Sequence, residues 1–130
     1  NWWPADSPFE VMIGAILTQN TAWTNVEKAI QNIKNENALS VQRLSEISEN
    51  MLAKWIRPSG YYNIKAKRLK ALIRFISDEF DGNIGKMAKV DADDMRGRLL
   101  EIYGIGEETA DSILLYALGK PFFVVDAYTR

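Results

Sequence analysis

The sequence predicts an all-α fold, and three observations lead there. Apolar residues recur at helical spacing in nearly every segment, and capping residues and glycines bracket those segments at helix length. Only residues 122–125 alternate in the manner of a strand, over a stretch short enough for an extended link.

The elements follow in order. Ser7-Pro8 sets an N-cap before a proline at the first helical position, and Phe9, Met12, Ile13, Ile16 and Leu17 then recur as in a helix that is mostly core. A second helix starts near Thr21 and carries Val26, Ala29, Ile30 and Ile33 on one face. Ser40 and Ser48 cap two shorter helices ending near Ile47 and Ile56, and Pro58-Ser59-Gly60 breaks the chain. From Tyr61 or Tyr62 a long helix runs to about Phe80, with Ile64, Leu69, Leu72, Ile73 and Ile76 inward and Lys65, Lys67, Arg68, Lys70 and Arg74 outward. Asp81-Gly82 ends it. A short turn of helix covers residues 84–88, and Asp91 with Asp94 makes an acidic start for a helix reaching about Glu101. Gly104-Ile105-Gly106 is a hairpin whose apolar Ile105 plugs back between the flanking helices. The last full helix runs from about Glu107 to Leu118, with Gly119 just past its end and Pro121 beyond.

Composition narrows the chemistry. At 130 residues with 47% hydrophobic and 25% charged, the chain can build one core, so one domain is expected. No apolar run is long enough to span a bilayer and no signal-peptide pattern opens the chain, which favours a soluble, intracellular and cytoplasmic protein. With no Cys and no His, chemistry must rest on carboxylates, amines, hydroxyls or aromatics. A net charge of −1 argues against strong nucleic-acid binding unless the Lys and Arg are unevenly placed. The opening on Asn1 without a Met, and the stop at Arg130 just after Asp126-Ala127-Tyr128, predict a piece of a longer protein.

GIGEETA, residues 104–110, poses the functional question. Two glycines ahead of a helix suggest amides turned toward a phosphate, yet Glu107 and Glu108 stand where an anion site would more naturally place Lys or Arg. A dinucleotide fingerprint is excluded, because a helix rather than a strand precedes the glycines and the third glycine is missing. Two readings stay open from the hairpin alone: amides at a helix N-terminus facing an anion, or an ordinary αα-hairpin whose glycines only satisfy positive φ.

A family resemblance decides between them. IYGIGEETADSILLYA resembles the helix-hairpin-helix of the endonuclease III superfamily of DNA glycosylases, and FFVVDAYTR is similar to the segment that carries its catalytic aspartate. PFEVMIGAILTQNT and RPSGYYNIKAKRL resemble, in the right order, an early helix with its duplex-contacting loop and a loop-helix that packs on the damaged strand. The resemblance covers essentially the whole chain. It implies a six-helix barrel domain over residues 1–125, with the helix-hairpin-helix at about 92–118, and the start of a second helical domain at 126–130. It further implies base flipping from damaged double-stranded DNA by a monomer, and hydrolysis of the bond between base and sugar. Asp126 is then the catalytic carboxylate that stabilises the oxocarbenium-like transition state, and it doubles as an N-cap for the helix at Ala127.

The resemblance also assigns finer roles. Lyase members keep a Schiff-base lysine at the position of Glu108, and a carboxylate cannot form an imine, so a monofunctional enzyme is expected. The Asn1-Trp2-Trp3-Pro4 opening and Trp23 look like the branch acting on alkylated purines, the 3-methyladenine DNA glycosylases. Trp2, Trp3 and Trp23 would there enclose the base, although that branch typically has Phe at the place of Trp23. Indoles suit a cationic N-alkylated purine, which is already a good leaving group and dispenses with a general acid. Trp55 is read as core. Gln19 would fill the gap left by the flipped nucleotide and Tyr61 would wedge between bases. Phosphates would meet the amides of Gly104 and Gly106, with Thr109, and secondarily Lys65 and Lys67. No cofactor is expected within these residues; many relatives hold an iron-sulfur cluster on four cysteines farther on, which the alkylpurine branch does without. The competing functions are an endonuclease III-like glycosylase for oxidised or mismatched bases with lyase activity, and a non-catalytic helix-hairpin-helix grip on DNA.

Overall fold

The computed structural model describes residues 7–119. Among them are eight α-helices and no strand: α1 (Pro8–Leu17), α2 (Trp23–Asn35), α3 (Val41–Glu46), α4 (Glu49–Trp55), α5 (Tyr62–Phe80), α6 (Ile84–Met87), α7 (Ala92–Leu100) and α8 (Glu107–Ser112). A 3-10 turn, Arg57–Ser59, joins α4 to α5, and a π turn, Ile113–Ala117, continues α8. The all-α expectation is met. The link at residues 122–125 lies outside the described residues.

Local chemistry sets most of the helix limits. Ser7, Ser40 and Ser48 each accept from the amide three residues on, at 3.2, 3.1 and 3.1 Å, and so begin α1, α3 and α4. Asp91 accepts from the amides of Asp93 and Asp94 at the start of α7. At the far end of α5, Asp81 and Gly82 turn left-handed with φ of 54° and 75°, and the Gly82 amide donates to Ile76 O.

Packing is organised around two helices. Every residue of α1 from Phe9 to Leu17 is buried, so this helix is enclosed on all sides and runs through the middle of the core. Even Glu10 is buried, its carboxylate 3.1 Å from Lys34 of α2. α5 carries its stripe of Leu69, Leu72, Ile73 and Ile76 against α1, α3 and α4. α1 in turn packs on α2, α8 and the π turn, which places the hairpin beside the C-terminal end of α1.

Three expectations are corrected. The second helix starts at Trp23 rather than near Thr21. The last helix widens into a π turn instead of running regularly to Leu118. The third concerns α5: Ile64 is 43% exposed, whereas Lys65 is 1% exposed. Lys65 Nζ donates to Leu17 O and Ser59 O, both at 2.8 Å, and Lys70 Nζ donates to Leu44 O and Ile47 O at 2.8 and 2.7 Å. Both lysines therefore cap the carbonyl ends of neighbouring elements, where the helix leaves acceptors unfilled and negative dipole gathers. Lys65 cannot serve as a phosphate contact.

Burial sets the titration of these groups. It lowers the Lys65 pKa from 10.5 to about 8, helped by the charge of Arg68. Lys70 moves down as well, from burial first and then Arg74. An unfolded Lys65 keeps its proton to about 10.5 and the native one releases it near 8, so between these values the unfolded chain binds more protons. Its contribution to stability therefore rises with pH across that window. A neutral amine still has two N–H groups, enough for both carbonyls. Urea unfolding of the wild type and K65M should show a free-energy difference that shifts in favour of the wild type from about pH 8 towards pH 10.5. A difference that is flat with pH would place the lysine's pKa near its unfolded value.

Candidate nucleic-acid interface

Three segments meet beside the C-terminal end of α1: the loop at residues 18–20, the second turn of α5 at Arg68, and the hairpin leading into α8. Between them lies a cleft of about 340 Å³, with Thr18, Gln19 and Asn20 on the loop, Glu108, Thr109 and Ser112 on α8, and Arg68 from α5.

Gln19 is held at both ends of its amide. Its Nε2 donates to Thr109 Oγ1 at 2.7 Å, and its Oε1 accepts from Arg68 Nη1. Arginine can only donate, so the oxygen must be the atom facing it; the amide orientation is fixed by its partners. Thr109, expected at the phosphate face, is instead 6% exposed with its hydroxyl turned to Gln19. Arg68 was not singled out from the sequence, yet it joins α5 to the loop. It does so by crossing the hairpin at Gly104, whose φ is +80° and where a Cβ would lie 2.2 Å from Arg68 Cγ.

The hairpin has the form that its glycines imply. Ile105 is buried and its amide donates to Ile102 O at 3.1 Å, closing the turn. Gly106 caps α8 with extended backbone and no side-chain acceptor, and its surroundings are open where a Cβ would stand. Among the described residues no side chain caps the first-turn amides of α8. Glu107 is exposed and pairs with Arg96 at 3.3 Å, and Arg96 also holds Asp111 at 2.8 Å, tying α7 to α8. Glu108 is exposed and lines the cleft.

Tyr61 stands out from the surface. It is 66% exposed with a left-handed φ of 45°, directly after Gly60 at φ 70°. A non-glycine residue held there stores on the order of 1–3 kcal/mol of strain. The neighbouring Tyr62 packs instead, with the Arg57 guanidinium 5.4 Å from its ring centre. Tyr61 and the exposed Ile64 lie one helical turn apart and make an apolar step at the start of α5, while Lys67 is exposed beyond it.

The aromatic pocket is only partly in view. Trp23 is the first residue of α2, half-buried against the core, and is not among the residues lining the cleft. Trp55 packs on the core as expected. Trp2, Trp3 and Asp126 lie outside the described residues.

A model of the "HhH-GPD superfamily base excision DNA repair protein" matches residues 13–130. The chain belongs to the HhH-GPD superfamily. A Methanocaldococcus jannaschii protein whose name places it among DNA repair glycosylases is 54% identical over 100% of this chain and 60% of its own length. Endonuclease III of Thermotoga maritima is 30% identical over 95% of this chain and 54% of its own. Among solved structures, a Helicobacter pylori 3-methyladenine DNA glycosylase bound to 1,N6-ethenoadenine superposes with a TM-score of 0.81 at 39% identity, covering 92% of this chain and 56% of that one. An endonuclease III–DNA complex shares the fold, with a TM-score of 0.74 at 24% identity over 91% of this chain and 51% of that one. The chain spans between half and two thirds of the length of these HhH-GPD relatives.

The two hairpin glycines are predicted to respond differently to alanine. Gly104→Ala meets the Arg68 stem at 2.2 Å and a left-handed φ, and should destabilise the fold by about 1–3 kcal/mol. Gly106→Ala enters open space at φ −93° and should change stability by less than about 0.5 kcal/mol. Urea melts of the two variants compare them directly; equal effects would mean that Arg68 does not depend on the bare Gly104 backbone.

Proposed function

We propose that the full-length protein is a monofunctional DNA glycosylase of base excision repair. It flips an alkylated purine such as 3-methyladenine from duplex DNA, hydrolyses the N-glycosidic bond and leaves the abasic site uncut. Residues 1–125 form one side of its cleft, and the chain from Asp126 onward starts the other.

One observation carries the uncut product. Glu108 lines the cleft, and by the resemblance of GIGEETA it stands where a lyase of this superfamily keeps its amine nucleophile; a carboxylate cannot form a Schiff base with the sugar. The choice of alkylated purines is supported by the 39% identity to a 3-methyladenine DNA glycosylase and by the tryptophans at 2, 3 and 23. Stacked indoles attract a cationic base beyond plain dispersion. Such a base leaves readily, so the reaction needs a group that stabilises the sugar cation and directs water rather than a strong acid. Asp126 supplies that carboxylate in this reading, on the strength of its place in the FFVVDAYTR motif.

Binding draws on the parts already described. Gly104 and Gly106 present backbone amides to a phosphate, Tyr61 enters the base stack, Gln19 occupies the vacated position, and Lys67 adds a peripheral cation. The chain has no cysteine to ligate an iron-sulfur cluster, and no step of this reaction uses one. The likeness to endonuclease III supports a second reading, a lyase acting on oxidised or mismatched bases, but that reading needs an amine where Glu108 stands.

Incubating the full-length protein with duplexes carrying single lesions distinguishes these readings. Release of free alkylated purine without strand scission until alkali is added is the expected result. Asp126→Asn should slow release by on the order of 10²–10⁴-fold while leaving DNA affinity largely intact. A covalent adduct trapped by borohydride would refute the monofunctional reading; binding without release of any base would leave only a DNA grip.

A further inference from the structure

We propose that Lys65 is a positioning residue, which ties the loop of Gln19 to the turn of Tyr61 so that the two side chains enter the duplex as one unit. The inference rests on the DNA-binding roles proposed above for Gln19 and Tyr61, and its new content is the residue that couples them.

The geometry is specific. Leu17 is the last residue of α1 and Ser59 the last of the 3-10 turn, and Lys65 Nζ holds both carbonyls at 2.8 Å. Each carbonyl lies two residues before the side chain that would insert, Gln19 on one arm and Tyr61 on the other. Two residues span at most about 7 Å, so a shift at either carbonyl passes almost undamped to the tip. Lys65 is 1% exposed and the anchor on the Tyr61 side is equally closed: Ser59 is fully buried, its hydroxyl donating to Ile56 O at 2.7 Å. Lys65 also starts the first full turn of α5, its own amide donating to Tyr61 O at 2.9 Å. A single residue thus grips the Tyr61 turn by backbone and side chain and reaches the Gln19 loop with the same side chain. Tyr61 needs such a grip, because its left-handed conformation persists only where the surroundings hold it.

A lysine that merely stabilised the core would weaken the protein without regard to which side chains stand at the two tips. A positioning lysine acts through Gln19 and Tyr61, so its effect should vanish when both are gone. The test uses full-length protein and fluorescence anisotropy with a duplex bearing a tetrahydrofuran abasic site and the same duplex intact. Wild type, K65M, the double variant Q19A/Y61A, and the triple variant are compared, with thermal unfolding of each. K65M should reduce the preference for the abasic duplex by about ten-fold in the wild-type background and by less than about two-fold in the Q19A/Y61A background. K65Q, whose amide keeps two N–H donors on a shorter stem, is carried through the same cycle as the milder substitution and should give a smaller loss with the same background dependence. Equal losses in both backgrounds, or an unchanged preference in K65M and K65Q, would overturn the coupling while leaving the duplex-entry roles standing. A wild type that binds both duplexes equally would overturn those roles, and the coupling with them. Because the readout is binding, it is independent of whether any base is released.

Discussion

The passage of Arg68 over Gly104 is the contact on which the site depends. The side chain is rooted in α5, lies against the hairpin backbone where no Cβ stands, and ends on Gln19, which hands the chain of hydrogen bonds to Thr109 of α8. Helix, hairpin and loop are thereby held in one arrangement by a single guanidinium. The arrangement carries a penalty, since Arg68 Nε is buried with no hydrogen-bond partner among the described residues. A buried donor left unpaired is tolerated where the surrounding geometry is worth more than the bond, and here that geometry shapes the cleft.

The helix limits were legible because they are set by short-range chemistry. Ser7, Ser40 and Ser48 each act on an amide three residues away, so a single sequence suffices to place them. On α5 the direction of the side chains follows their spacing rather than their charge. Lys65 stands four residues before Leu69, seven before Leu72 and eleven before Ile76, squarely in the buried stripe, while Ile64 falls one residue off it. Spacing argued for a buried lysine, and only its charge argued against. Arg68 had no such signal, because its partner Gln19 lies 49 residues back in the chain. The π turn likewise has neither glycine nor proline to announce it.

Two lysines bonded to helix ends also change how the basic run of α5 should be understood. α1 and α3 end with carbonyls that need donors, and Lys65 and Lys70 reach across to supply them. The Lys65 ammonium then meets a negative helix end in place of water, which offsets part of its desolvation, while the half-buried Lys70 makes the same contact nearer the surface. What looks in the sequence like a positive stripe is therefore divided by role: Lys65 and Lys70 bind protein, Arg68 binds the loop, and Lys67 and Arg74 are left to the surface.

That division bears on how an acidic chain can grip a polyanion. With so few of the α5 cations free, the phosphate contact of the proposed function would draw on groups that carry no net charge, and the hairpin offers backbone amides at the start of α8. The acids beside them do not undo this. Glu107 is drawn to Arg96 of α7, whose second partner is Asp111, so its charge is partly offset, and neither Glu107 nor Arg96 lines the cleft. Glu108, one residue on, faces the cleft itself. In the proposed reaction the same turn of helix therefore serves two ends, amides for the backbone of the DNA and a carboxylate where a lyase would keep its amine. Grip and the extent of the chemistry are set within three residues of each other, and a change of side chain at 108 could alter the second without touching the first, because amides belong to the backbone.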